Sequence, residues 1–376
     1  MFLRCKRVLS CIIICVILLV SNAYALDLSA RSAVVIDRLS GKVIYAKNAE
    51  SKMSMASTTK IMTAICALEN GNLSDVVKVH PSAVGVEGSS MYLGHGEEIT
   101  LENLVYGLML ASGNDAAVAI AMHISGSVDE FAKLMNQTAN KIGAVNTQFK
   151  NPNGLDAEGH YTTAHDLALI TRYGLENVNG FADIVKTYEK KMPWQGKDYD
   201  RVLHNHNKLL RIYEGCDGVK TGFTKKSGRC LVSSATRDNL GVIAVTLNAP
   251  NDWDDHAKML DYAFQSYSVK KVITKGEYIG TVNVARGMDD KVSLIAGEDV
   301  YATVKNGENP DVKIEYDIPT EIKAPVGFEK IAGKVIVSWD GFSKSINAVT
   351  KAYVPEKNDT YIDKIRKIIL SWIRII

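Results

Sequence analysis

The chain is short of cysteine. Of its six cysteines in 376 residues, Cys5, Cys11 and Cys15 lie in the first fifteen positions, leaving Cys66, Cys216 and Cys230. Three thiols without metal-ligand spacing exclude a disulfide scaffold. Cys66 falls in an apolar helical run and reads as core; Cys216 and Cys230 pair only if their strands bring them opposite each other. Excess charge of one sign is also lacking, with Lys+Arg 44 against Asp+Glu 42 and a formal net charge of +2. Arg4, Lys6 and Arg7 are the only charged residues before Leu26, so the rest of the chain carries one acid in excess. Phosphate binding needs a clustered basic surplus, which argues against a nucleic-acid partner. Long hydrophobic runs are absent beyond Val8–Val20. That run follows the three cations and precedes Ala23-Tyr24-Ala25, a small-x-small cleavage site. Residues 1–25 therefore read as a secretory signal peptide, too short for a good membrane span. Export argues against a cytosolic role and against nucleotide cofactors; no cofactor and no metal are expected. Internal repeats and low-complexity tracts are missing too.

What is present is globular, at 46% hydrophobic and 23% charged residues, enough for two domains with cores. Ala33–Tyr45 alternates around Asp37-Arg38-Leu39-Ser40-Gly41, a hairpin pattern. Helical periodicity runs from Ser54 to Leu68, follows a Thr100 cap, and returns over Ala116–Ile124, Glu130–Ile142 and His165–Tyr173. Asn151-Pro152-Asn153-Gly154 is a turn cluster. Strand patterns follow at Gly218–Gly222, Cys230–Thr236 and Gly241–Leu247, then a helix over Ala257–Tyr267. Helices followed by a few antiparallel strands predict an α+β domain over residues 26–270. Short alternating runs between Gly, Asn and Asp turns predict a small β-rich domain over 271–354. Residues 355–376 form a last unit. On a helix, Tyr361, Ile362, Ile365, Ile368, Ile369, Trp372, Ile373, Ile375 and Ile376 share an arc of about 160°, with Leu370 the exception. Four cations interrupt the run, which fits a helix lying in a membrane surface better than one crossing it; the alternative, which the loop Pro355–Asp359 before it makes weaker, is docking on the protein's own surface.

Three short motifs occur in order: Ser57-Thr58-Thr59-Lys60, Ser112-Gly113-Asn114 and Lys220-Thr221-Gly222. The first is weak alone, since Ser268-Val269-Lys270-Lys271 matches it as well; the ordered triple is specific. Residues three apart share a helix face, so Ser57 and Lys60 can meet. Burial, nearby cations and a helix N-terminus disfavour a charged lysine, and a neutral Lys60 could take the serine proton. Apolar Ile61, Met62, Ile65 and Leu68 argue against an exposed lysine. Ser112 would relay a proton to the leaving group, and Asn114 would hydrogen-bond a substrate amide; alone, this segment reads as a helix C-cap. Lys220 would supply charge, Thr221 would hold a carboxylate, and Gly222 would admit the substrate backbone. The backbone N–H groups of Ser57 and Phe223 would form an oxyanion hole. The bland alternative for Lys220 is an edge-strand lysine that deters aggregation.

These motifs, with Asn153-Gly154-Leu155-Asp156 and Asp217-Gly218-Val219 leading into Lys220, resemble the low-molecular-mass penicillin-binding proteins. More narrowly, the chain resembles the D-alanyl-D-alanine carboxypeptidases, and Asn248-Ala249-Pro250-Asn251-Asp252-Trp253 resembles their sporulation-type members. The resemblance spans the signal, both domains and the C-terminal amphipathic segment. It implies a β-lactamase/transpeptidase-like catalytic domain, action at the outer face of the cytoplasmic membrane, and an acyl-enzyme on Ser57. The substrate would be a peptidoglycan stem pentapeptide losing its last D-alanine; β-lactams would acylate the same serine. Two departures stand out. Some relatives place a histidine directly before the hydroxyl pair, whereas here Tyr161 precedes Thr162-Thr163 and His160 is one earlier. Some carry an arginine beyond the last catalytic strand for the terminal carboxylate, and Ala249–Trp253 has none. Carboxylate recognition then rests on Lys220 and Thr221, or on Arg229.

Other readings share parts of this pattern. A β-lactamase needs a deacylating base, for which Glu158 is available but not in a Glu-x-x-Leu-Asn setting. An endopeptidase cutting cross-links would use the same motifs. A zinc carboxypeptidase would need clustered ligands, and His204-x-His206 or His160 with His165 lack the spacing. A non-catalytic wall-associated scaffold would be expected to have lost a motif.

Overall fold

The computed structural model describes residues 26–357. The expected signal segment and residues 358–376 of the expected membrane helix lie outside the described residues. Among the described residues, no helix is long and apolar enough to cross a membrane.

The central element is a five-stranded antiparallel sheet. Its strands are β1 (Ser32–Asp37), β2 (Val43–Lys47), β3 (Cys216–Thr224), β4 (Gly228–Arg237) and β5 (Leu240–Leu247). The order β2-β1-β5-β4-β3 places the first strands of the domain beside the last, and leaves β3 at an edge. Alternation along the strands explains why both faces are covered. Val34, Ile36, Val232, Ile243, Val245 and Leu247 face one hydrophobic core, which they share with the helical residues. Ala33, Val35, Val242 and Ala244 face the other, under the helix Asp252–Ser266.

The helical side contains α1 (Lys60–Asn70), α2 (Leu101–Met109), α3 (Asn114–Ser125), α4 (Val128–Ile142) and α5 (Ala164–Asn177). Their starts follow local chemistry. The side chains of Thr100, Ser127 and Thr163 accept from the backbone N–H of Asn103, Glu130 and Asp166, satisfying first-turn donors. α3 and α4 end on Gly126 and Gly143 at positive φ.

One expectation is corrected. The helix expected from Ser54 begins at Lys60, after a 3-10 turn over Ala56–Thr59. Ala56 sits at φ +47°, which a helix does not allow. Cys216 and Cys230 do not pair: on β3 and β4, Cys216 lies opposite Ala235 and Cys230 opposite Gly222. The boundary expected at residue 270 falls inside the strand Tyr267–Ile273, which pairs with Val300–Lys305. Beyond it lies a six-stranded sheet with its own core around Val335, Val337, Trp339 and Ile346. The second Ser-x-x-Lys match, at Ser268, lies on this linking strand.

Candidate active site

Ser57 lies in the 3-10 turn, three residues before the point where Lys60 opens α1. Close packing shapes this turn. A Cβ on Gly154, itself at φ +88°, would fall 2.0 Å from the Ala56 carbonyl oxygen, so the Asn151–Gly154 turn seats directly on the serine turn. A Cβ on Gly222 would fall 3.1 Å from the Met55 oxygen and from the backbone nitrogens of Ser57 and Thr58. The missing side chain of Gly222 thus lets β3 lie against the Ser57 turn, beside the substrate approach expected for it.

Lys60 is fully buried. Its Nζ lies 2.8 Å from Ser57 Oγ, and it donates to Asn114 Oδ1 at 2.7 Å and to the Asn153 carbonyl at 2.5 Å. Burial, and then the nearby Lys220 charge, hold its amine well below the usual lysine range. The neutral amine that the site favours has two N–H groups, which the Asn114 and Asn153 oxygens take, so its lone pair is left for the Ser57 hydroxyl. Asn114 was expected to address the substrate. Here both ends of its amide are engaged within the protein, since Nδ2 also donates to the Glu87 carbonyl at 2.5 Å.

Ser112 is buried in the turn between α2 and α3 with φ +56°. Asp115, the second residue of α3, is buried and accepts from Ser90 Oγ and from the backbone N–H groups of Met91 and Leu93, which fixes the wall opposite β3. Arg201 braces that wall from outside through a buried pair with Glu97, at 2.9 Å, and a bond to the Tyr92 carbonyl. On β3, Lys220 is buried, Thr221 half-buried and Phe223 exposed. Lys220 Nζ donates to the Thr221 carbonyl at 2.9 Å, and burial pulls its amine down to about 7.

Ser57, Ser112, Thr221, Gly222 and Phe223 line one cleft of about 340 Å³. Ser89, His206, Arg229, Asp252 and Trp253 share it and carry no motif of their own. Sequence offers Arg229 as a cation without a location, His206 only as a zinc ligand without the spacing, and Asp252-Trp253 only within the sporulation-type segment. Glu158, weighed as a deacylating base, is exposed and does not line the cleft. His160 acts one layer below. Its Nδ1 accepts from the Lys150 N–H at 3.0 Å, so Nε2–H points at Thr59 Oγ1, 2.8 Å away and adjacent to Lys60. Burial holds this imidazole down at about 4, hence neutral.

A serine on a buried, charge-suppressed lysine, in a cleft at a sheet edge, suits acyl transfer. Comparison with known proteins names the reaction. Residues 20–251 match the peptidase S11 family, described as D-alanyl-D-alanine carboxypeptidase. The chain belongs to this family. Residues 267–356 match the penicillin-binding protein 5 C-terminal domain. The D-alanyl-D-alanine carboxypeptidase DacF of Bacillus subtilis is 37% identical over 358 residues, covering 89% of this chain and 91% of that protein. The D-alanyl-D-alanine carboxypeptidase DacA of Escherichia coli is 32% identical, covering 92% of this chain and 89% of that one. Among solved structures, penicillin-binding protein 5 of Haemophilus influenzae superposes with a TM-score of 0.65 at 30% identity, over 88% of this chain and 98% of that one. The chain is a serine-type D-Ala-D-Ala carboxypeptidase with a penicillin-binding-protein fold: an α+β catalytic domain followed by a β-rich domain.

Proposed function

We propose that Ser57 is the nucleophile and neutral Lys60 its general base. The Lys60 amine takes the proton from Ser57 Oγ as that oxygen attacks the carbonyl carbon between the last two D-alanines of a stem pentapeptide. The backbone N–H groups of Ser57 and Phe223 receive the oxyanion. Ser112 relays the proton to the departing nitrogen; the C–N bond breaks and D-alanine leaves. Water then hydrolyses the ester and returns the enzyme. Asn114 holds the Lys60 amine, and Lys220, Thr221 and Gly222 hold the substrate beside the edge strand. The supporting observation is the 2.8 Å contact between Ser57 Oγ and a lysine amine whose charge is suppressed by burial. A β-lactam would acylate the same oxygen and leave slowly.

The apolar leader and the amphipathic pattern of residues 355–376 support exported action, with the tail lying on the outer face of the cytoplasmic membrane. The deciding experiment is D-alanine release from a stem pentapeptide by the chain from residue 26, beside Ser57→Ala. Release that vanishes in the variant is expected. Release that survives it would reject Ser57 as the nucleophile. Cross-linked muropeptides in the same assay separate carboxypeptidase from endopeptidase action.

A further inference from the structure

The substrate of a D-Ala-D-Ala carboxypeptidase ends in a carboxylate that must be held one residue beyond the attacked carbonyl. Two of the cations beside Ser57, both buried lysines outside the cleft lining, are poorly suited to this. Lys60 is buried and engaged with Ser57, Asn114 and Asn153. Lys220 is buried, and its Nζ already donates to the Thr221 carbonyl. The third is Arg229, whose side chain is 41% exposed while it lines the cleft.

Arg229 is built into place. It sits at the second position of β4, opposite Phe223 on the edge strand. Its carbonyl accepts from the Ala249 N–H at 2.9 Å, which ties the backbone to the segment beyond β5. Its Nε and Nη2 lie 2.9 and 2.8 Å from Asp252 Oδ1, and the Asp252 side chain is 3% exposed. The guanidinium carbon lies 5.6 Å from the centre of the Trp253 ring. A buried acid and an indole therefore fix one side of the fork. A guanidinium carries five N–H donors in a rigid plane matched to a carboxylate, so donors remain on the side away from Asp252.

We infer that Arg229, braced by Asp252 and Trp253, is the residue that binds the terminal carboxylate of the substrate, and so sets the preference for a free C-terminal D-alanine. The inference rests on Ser57 being the nucleophile in this cleft. It also places the carboxylate cation on β4, away from the segment after the last strand, Ala249–Trp253, which holds the brace instead.

The test compares an N-acylated tripeptide ending in D-Ala-D-Ala with its C-terminal amide. Both are given to the unsubstituted chain, Arg229→Gln and Arg229→Lys, with release of D-alanine or D-alaninamide followed. In Arg229→Gln, kcat/KM for the acid is expected to fall about ten- to hundredfold, mainly through KM, while that for the amide stays within about twofold. Arg229→Lys should recover part of the loss on the acid. Equal losses on acid and amide, or no loss on the acid, would overturn the assignment. Failure of the underlying reading shows separately, as activity that survives Ser57→Ala.

Discussion

At the scale of single residues, the site depends on two buried lysines with different tasks. Lys60 must be neutral to accept a proton, and burial lowers its affinity for one. Lys220 serves as a cation, and burial brings it to about 7. The signs give a bell-shaped profile. Activity should rise with pH along a limb far below the ordinary lysine range, as Lys60 sheds its proton. It should fall above about pH 7, as Lys220 loses its charge. In Lys220→Gln the falling limb should vanish from kcat/KM and overall activity should drop. A falling limb unchanged in that variant would assign it to another group. Gly222 gives a second prediction. The three atoms that crowd its Cβ position are all backbone and cannot swing away. Gly222→Ala must push β3 from the Ser57 turn by a few tenths of an ångström. Since displacements below 1 Å can cost up to about a hundredfold in rate, D-alanine release should fall at least about tenfold. The thermal midpoint should move by only a few degrees.

The elements show what the sequence makes legible. The five long strands and the helices α2 to α5 follow from period-2 and period-3.6 patterns with capping residues, because their burial is local to their own repeat. The start of α1 is not legible that way. Apolar periodicity from Ser54 continues through Ala56, and the left-handed residue there packs against Gly154, nearly a hundred positions later. The same limit applies to the cleft. Ser57, Lys60, Ser112, Asn114 and Lys220 carry motif spacing; Ser89, His206 and the Asp252–Trp253 brace are brought in by tertiary packing alone. His256 on the helix Asp252–Ser266 is a further case. It falls just before the helix that the sequence pattern starts at Ala257, and it is fully buried between Ser233 Oγ on β4, at 2.6 Å, and Thr246 Oγ1 on β5, at 3.0 Å. Burial lowers its imidazole to about 3. The unfolded chain takes up that proton near pH 6.5, so the folded state loses stability as pH falls below that value. At pH 5 the loss is roughly 2 kcal/mol from this one group. Urea midpoints measured at pH 7 and pH 5 should show the drop, and His256→Gln should reduce it. An equal drop in the variant would place the acid sensitivity elsewhere.

Across the whole molecule, the two domains are joined by more than the linking strand. The hairpin turn between β1 and β2 reaches the second domain: Leu39 packs on its core, and Lys42 pairs with Asp340 at 2.6 Å. The contact that matters most is buried. Thr303 Oγ1 donates to Asp37 Oδ1 at 2.9 Å, with both residues 1% exposed. Asp37 Oδ2 accepts from the Ser40 N–H within the same turn. The exposed pair is screened by water and salt and contributes little; the buried Asp37 Oδ1 accepts from Thr303 and from no other described residue. Thr303→Val keeps the shape and removes the donor, which should cost about 1–3 kcal/mol by leaving a buried acceptor unmet. The site is built wholly from the first domain, so D-alanine release per folded molecule should not change. Chemical unfolding is the measurement. If the hairpin couples the domains, the second domain should unfold at lower urea in the variant, splitting a shared transition in two. A single transition at an unchanged midpoint would mean that Tyr267–Ile273 alone holds the domains together.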